Sequence, residues 1–211
     1  MRGADHIRGW NPMTVFVSGD RDGPRHRRHK AGDHLLPVDV RSGDGVTGAG
    51  VPSETVVARW TNDGLPVYAQ RRIRDLSGTP RPARFVAGGF LFAPGTFVRE
   101  VPYDPNIYFH GAEITVALRA YTWGYDLFHP TEVLRWHYYM RNERPRHWTD
   151  HVGNNGGKSW PVLDRASRRR VNNLLRYPPT GRFGVGPVRT LADYEAYSGC
   201  DFRRRTWTDP A

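Results

Sequence analysis

The sequence predicts a mixed α/β domain, and three observations carry that expectation. The run at 85–92 is apolar and broken only by Gly88 and Gly89, as suits a buried strand. Ile114, Ala117, Leu118 and Tyr121 fall at i, i+3, i+4 and i+7, which gives one apolar helical face. Two short β-rich segments follow, at 127–130 and 133–139.

Taken in chain order, residues 1–55 offer one short apolar run at 14–18 and then a Gly-rich polar stretch with no period of 2 or 3.6, so they read as an irregular or disordered arm. A single domain is expected over 56–207, with the strand at 85–92 central to its sheet. The two glycines in that strand imply a backbone that must come close to a ligand or to another chain. Pro94 and Gly95 mark a turn, and Pro102 to Pro105 form a rigid loop that leads to Phe109-His110-Gly111-Ala112-Glu113 at the head of the helix. Gly124 stands where a left-handed residue ends it. The second β segment carries His137 among Trp136, Tyr138 and Tyr139. Further on, Thr190 and Asp193 have capping-box spacing with Asp in place of Glu, so a helix is expected over 191–198 with Gly199 as its terminator. The Gly-rich stretch at 153–159 has the wrong spacing for a phosphate-binding loop and reads as a flexible connection.

Composition narrows the classes. The 211 residues are 38% hydrophobic and 12% aromatic, ordinary for a globular chain long enough to bury a sizeable core. No run is long and apolar enough for a membrane span, and the start lacks the pattern of a signal peptide, so a cytoplasmic location is the default expectation. One cysteine, Cys200, excludes an internal disulfide and a cysteine-based zinc finger. The net charge of +10 is gathered in arginine clusters at 25–30, 71–72, 168–170 and 203–205. A solvated face, an anionic nucleotide or acceptor, and nucleic acid all remain open readings of that charge, although no nucleic-acid motif accompanies it.

From residue 84 onward the motifs resemble those of the retaining N-acetylglucosaminyltransferases that modify hydroxyproline on polypeptides, and more distantly the mucin-type polypeptide N-acetylgalactosaminyltransferases. The matching elements are Ala87-Gly88-Gly89-Phe90, Pro102-Tyr103-Asp104-Pro105, Gly111-Ala112-Glu113, Thr122-Trp123-Gly124-Tyr125-Asp126, and His137-Tyr138-Tyr139 with Arg141. Residues 168–175 and 183–202 resemble the family's C-terminal tail, so the likeness covers about 57–207. It implies a partial GT-A fold, a mixed sheet with flanking helices, whose N-terminal nucleotide-binding half is missing or degenerate here. The chain's start is therefore expected to be truncated, or altered as an open reading frame from a GC-rich genome can be.

The resemblance also implies a UDP-GlcNAc donor, a hydroxyl-bearing acceptor (protein, glycan or small molecule) and a divalent metal, Mn²⁺ or Mg²⁺, with His137 as one ligand. Read as a residue, a lone histidine on an aromatic strand is a core residue. Glu113 and Asp126 are the expected catalytic carboxylates. Glu113 is equally a first-turn carboxylate favoured by the helix dipole, and Asp126 equally a partner for Arg119 or Arg135. Gly88, Gly89, Gly111, Trp123 and Arg141 are the expected substrate-binding positions, with Gly111 leaving room for a sugar ring. Trp123 can also be simply a core aromatic. A non-catalytic remnant of such an enzyme and a basic nucleic-acid-binding module stay open beside the transferase.

Overall fold

The computed structural model describes residues 10–12, 15–19, 52–74, 80–88, 91–130, 136–138 and 159–208, with the backbone alone at 10–12, 15–19 and 136–138. It is mixed α/β. Strands β1 (Trp10–Pro12) and β2 (Val15–Gly19) precede a hairpin of β3 (Ser53–Trp60) and β4 (Pro66–Arg72). Short strands β5 (Arg81–Pro82) and β6 (Leu91–Phe92) lead to helices α1 (Phe97–Glu100) and α2 (Ala112–Thr122). Then come β7 (Tyr125–His129), β8 (Trp136–Tyr138), α3 (Trp160–Arg176), α4 (Leu191–Ser198), β9 (Cys200–Asp201) and β10 (Thr206–Trp207).

The largest sheet has the order β5-β7-β2-β6, with β2 antiparallel to β7 and parallel to β6. The remaining pairs, β1 with β8, β3 with β4 and β9 with β10, are two-stranded and antiparallel. Residues 85–92 are not the central strand. Among the described residues of this span only Leu91 and Phe92 pair, at an exposed sheet edge, while Phe85, Val86 and Ala87 are buried without joining a ladder. The centre belongs to β2 and β7. The irregular-arm reading likewise fails for 10–12, 15–19 and 53–55, which are strand; the rest of 1–51 lies outside the described residues.

Helix α2 is the core element. Ile114, Ala117, Leu118 and Ala120 are 1% exposed or less, and burying a residue of leucine's size contributes about 1.5–3 kcal/mol. Gly124 has φ +92°, the left-handed exit that the sequence implies. Helix α3 packs through Ser167, Val171, Leu174 and Leu175, spaced i, i+4, i+7 and i+8. Helix α4 runs over the expected residues. The Thr190 side chain accepts from the Asp193 N–H, Asp193 accepts in return from the Thr190 N–H, and Gly199 closes the helix at φ +72°.

The largest fully buried side chain among the described residues is a charged one. Arg119 has 0% exposure, and its guanidinium donates to the carbonyls of Pro102, Arg182 and Gly184 at 2.6, 2.9 and 3.2 Å. The bonds tie the loop before α2 and the loop before α4 to one helical position. Arg119→Met keeps the bulk and leaves buried carbonyls unpaired, so it is expected to destabilise the fold by about 3 kcal/mol or more. That corresponds to a fall of roughly 6–12 °C in the thermal midpoint. A midpoint within about 2 °C of wild type would show that the bonds are dispensable.

Candidate functional site

Three sequence features converge at the head of α2. The backbone reaches it through Phe109 at φ +54° and Gly111 at φ +93°. A left-handed aromatic residue costs on the order of 1–3 kcal/mol, a strain that concentrates at functional sites. Gly111 is required here for two reasons. Its positive φ disfavours any side chain, and a Cβ would stand 2.8 Å from Val171 Cγ2. The expectation that Gly111 leaves room for a sugar ring is thus replaced by a packing reason, since the space beside it is filled by α3.

This entry fixes Glu113 in the first turn of α2. Its Oε1 accepts the Gly88 N–H at 2.6 Å, and a Cβ on residue 88 would stand 3.1 Å from the same oxygen. The paired glycines predict close approach of a ligand or of another chain; at Gly88 the group that approaches is instead the chain's own Glu113 carboxylate. Burial raises the pKa of Glu113 above its ordinary value near 4.5, and the Gly88 bond offsets only part of that rise. Charged, Glu113 is a desolvated acceptor; protonated, it is a donor.

Asp126 lies elsewhere. It is on β7 with its side chain 54% exposed, and it pairs with Arg189 at 2.9 Å rather than with Arg119. Arg189 also lies over the Tyr121 ring at 4.4 Å. The ten residues of α2 from Glu113 to Thr122 span roughly 14 Å, whereas two carboxylates of a double displacement stand about 5–5.5 Å apart. Glu113 and Asp126 do not form such a pair. Trp123 ends α2 and packs half-buried against the core, beside Gly186, where a Cβ would meet the Trp123 backbone nitrogen at 2.5 Å. His137 is placed as a backbone position on β8 opposite Asn11, and its side chain, like Gly89 and Arg141, lies outside the described residues. Among the described residues no three His, Cys, Asp or Glu side chains gather to hold a metal ion.

Two residues at this site escaped the sequence reading. Tyr68 of β4 packs on Phe85, ring centres 5.0 Å apart, and its buried hydroxyl has no hydrogen-bond partner among the described residues. Burial pushes its pKa well above the usual range, with the Tyr194, Cys200 and Glu113 charges adding to the rise. His110 has a buried Nε2 without a partner among the described residues, and burial, then Arg168, lower its pKa. Tyr68 sits in a strand too polar to stand out in the sequence, whereas His110 is adjacent to Gly111 and could have been found there.

The Glu113 shift has a sign that thermal unfolding can read. A carboxyl with a raised folded pKa gives stability that is full in acid and is lost as pH rises through that pKa. Glu113→Gln removes the charge and keeps an acceptor for Gly88. The midpoint of Glu113→Gln minus that of wild type is therefore expected to be near zero below about pH 4 and to grow positive toward pH 7. A difference that is flat or falls with pH would contradict a desolvated carboxylate.

The comparisons with known proteins give one result. The model of the family described as glycosyltransferase (GlcNAc) matches residues 52–204. No curated protein matches, and no solved structure matches.

Proposed function

From the premise that the chain belongs to the glycosyltransferase (GlcNAc) family, we propose that it transfers N-acetylglucosamine from UDP-GlcNAc to a hydroxyl acceptor, with retention of configuration, on a GT-A fold. The observation that carries the reading is the Glu113 carboxylate, held by the Gly88 N–H inside the matched region. In this reaction the bond from the sugar's anomeric carbon to UDP breaks, a bond to the acceptor oxygen forms, and the acceptor's proton is lost. Glu113 orients a hydroxyl of the donor sugar or of the acceptor. A desolvated acceptor does this more strongly than one in water, and its single backbone bond fixes one oxygen while the other stays available to a ligand.

His137 is proposed as one ligand of Mn²⁺ or Mg²⁺, on the resemblance alone; a divalent ion there would supply positive charge to the leaving diphosphate. Arg141 is proposed to contact that diphosphate and Gly89 to line the donor site. Asp126 and Trp123 are proposed to contact substrate at the far end of α2. No helix among the described residues is long and apolar enough to cross a membrane. A nucleic-acid role gains nothing from the fold, because several of the clustered arginines are bound to carboxylates of the chain itself. Arg168 pairs with Asp63 and Asp164, Arg170 with Asp104, and Arg204 with Asp201.

The test is release of UDP from UDP-GlcNAc, followed with Mn²⁺, together with binding of UDP by calorimetry. Glu113→Gln is expected to lower turnover by about 10²-fold and to leave UDP affinity unchanged, because a preorganised polar group is lost and the nucleotide contacts are not. His137→Ala is expected to weaken metal-dependent UDP binding. A Glu113→Gln enzyme as fast as wild type would remove Glu113 from the mechanism. UDP-GlcNAc that neither binds nor turns over would remove the donor.

A further inference from the structure

Away from Glu113 the fold encloses a hollow of about 190 Å³ between the β3–β4 hairpin, the segment after β5 and the C-terminal end of the described chain. The hairpin contributes Glu54 and Arg71, the segment after β5 contributes Arg84 and Phe85, and β10 contributes Trp207. Glu54 is engaged by Arg71 at 2.8 Å. Arg84 is half-buried, and its guanidinium has neither a hydrogen bond nor an ion pair among the described residues. Among the described residues that line the hollow, Glu54 is the one carboxylate and Arg71 engages it, which leaves Arg84 without one. A cation withdrawn from water without a counter-ion is costly, and a bound anion removes that cost.

Trp207 supplies the second half of the site. Its side chain is 40% exposed, yet its strand is pinned. Thr206 and Trp207 pair with Asp201 and Cys200, and the Thr208 N–H donates to the Gly199 carbonyl at 2.9 Å. A Cβ at Gly199 would stand 2.4 Å from the Thr208 carbonyl oxygen, so this seam is closed tightly. An indole held this way, half in water beside polar groups, is a platform for the flat face of a sugar. Trp207 lies just past residue 204, where the family match ends, while Glu54, Arg71, Arg84 and Phe85 lie within it.

We propose that this hollow binds one sugar ring bearing an anionic group, a carboxylate or a phosphate, with the ring against Trp207 and the anion on Arg84. Arg84 stands four residues before Gly88, a reach of at most about 14 Å. A ring bound here can therefore belong to an acceptor whose hydroxyl reaches Glu113. That role rests on the transferase reading; the binding does not.

The experiment is an NMR titration of the intact chain with glucuronic acid, glucose 6-phosphate, neutral N-acetylglucosamine and inorganic phosphate. The two anionic sugars are expected to bind at least about 10-fold more tightly than N-acetylglucosamine, and Arg84→Gln to abolish that preference. Trp207→Ala is expected to weaken both anionic sugars about 5- to 10-fold with the thermal midpoint unchanged. Whichever anionic sugar binds more tightly identifies the charge the site takes. The proposal is overturned if N-acetylglucosamine binds as well as glucuronic acid, if Arg84→Gln keeps the preference, or if inorganic phosphate matches glucose 6-phosphate. Displacement of glucuronic acid by excess UDP would overturn it too, by making this the nucleotide site. Absence of UDP-GlcNAc turnover with these sugars still bound would defeat the transferase reading and leave the hollow standing.

Discussion

The fold hangs on a charged group that water never reaches. The Arg119 guanidinium is buried in α2 without a carboxylate of its own, and it is stabilised by three backbone carbonyls from chain segments on either side in sequence. Asp104 lies close enough to oppose the lowering of its pKa by burial. One turn later Thr122 repeats the logic with its own backbone and hydroxyl. Its carbonyl accepts from the Val188 and Arg189 N–H groups, and its Oγ1 accepts from the Gly186 N–H. The last turns of α2 thus act as the anchor for 182–189, a stretch with no helix or strand of its own. A buried cation is a costly way to make such a joint. Its advantage is direction: a fork of N–H donors satisfies several carbonyls at fixed angles, which an apolar side chain does not do.

With the far end of α2 anchored, strain can be carried at its near end. Phe109 is held left-handed, Gly111 is wedged against Val171, and Glu113 is withdrawn from water against a backbone N–H. The left-handed Phe109 and the desolvated Glu113 each cost stability, and with Gly111 they fall within five consecutive residues. Stability is lost there and supplied by the apolar contacts of Ile114, Ala117 and Leu118 just behind. That distribution is what a preorganised polar group needs, because its orientation is then set by folding and not by the ligand.

The parts of this architecture that were legible in the sequence are those governed by neighbours along the chain. The face of α2, its Gly124 exit, and the Thr190–Asp193 box with Gly199 at the end of α4 each depend on residues within a turn or two. The misreading at 85–92 has the opposite cause. An apolar run becomes a strand only where a partner is available, and at this position β2 meets only Leu91 and Phe92, while Phe85, Val86 and Ala87 are buried by packing alone. The β3–β4 hairpin went unread for a related reason. The inward positions of β3 are Ser53, Thr55 and Val57, so polar residues that bond across the sheet, Ser53 and Thr55 to Gln70, stand where an apolar alternation is sought. At the site, Glu113 was legible as a residue but not in its setting. No pattern in the chain announces that the Gly88 N–H is its partner, or that Gly111 answers to a helix beginning nearly fifty residues later.

The arginine surplus takes on meaning only once each cluster is traced to its partners. Arg168, Arg170 and Arg204 form ion pairs that contribute about 0–1 kcal/mol each where they are exposed. Arg189 pairs with Asp126 and covers the Tyr121 ring. Arg205 donates to the Asn62 carbonyl and so fastens the end of the described chain to the turn of the hairpin. These side chains serve the fold, and because the net +10 of the chain already counts the carboxylates they pair with, the excess charge resides in the basic residues that have no such partner. A small surface free of such pairing is therefore more informative than a large basic total. Arg84 differs from its neighbours because it has a hollow beside it and no carboxylate in it left to spend, and the selectivity of this chain is to be sought at that kind of local imbalance.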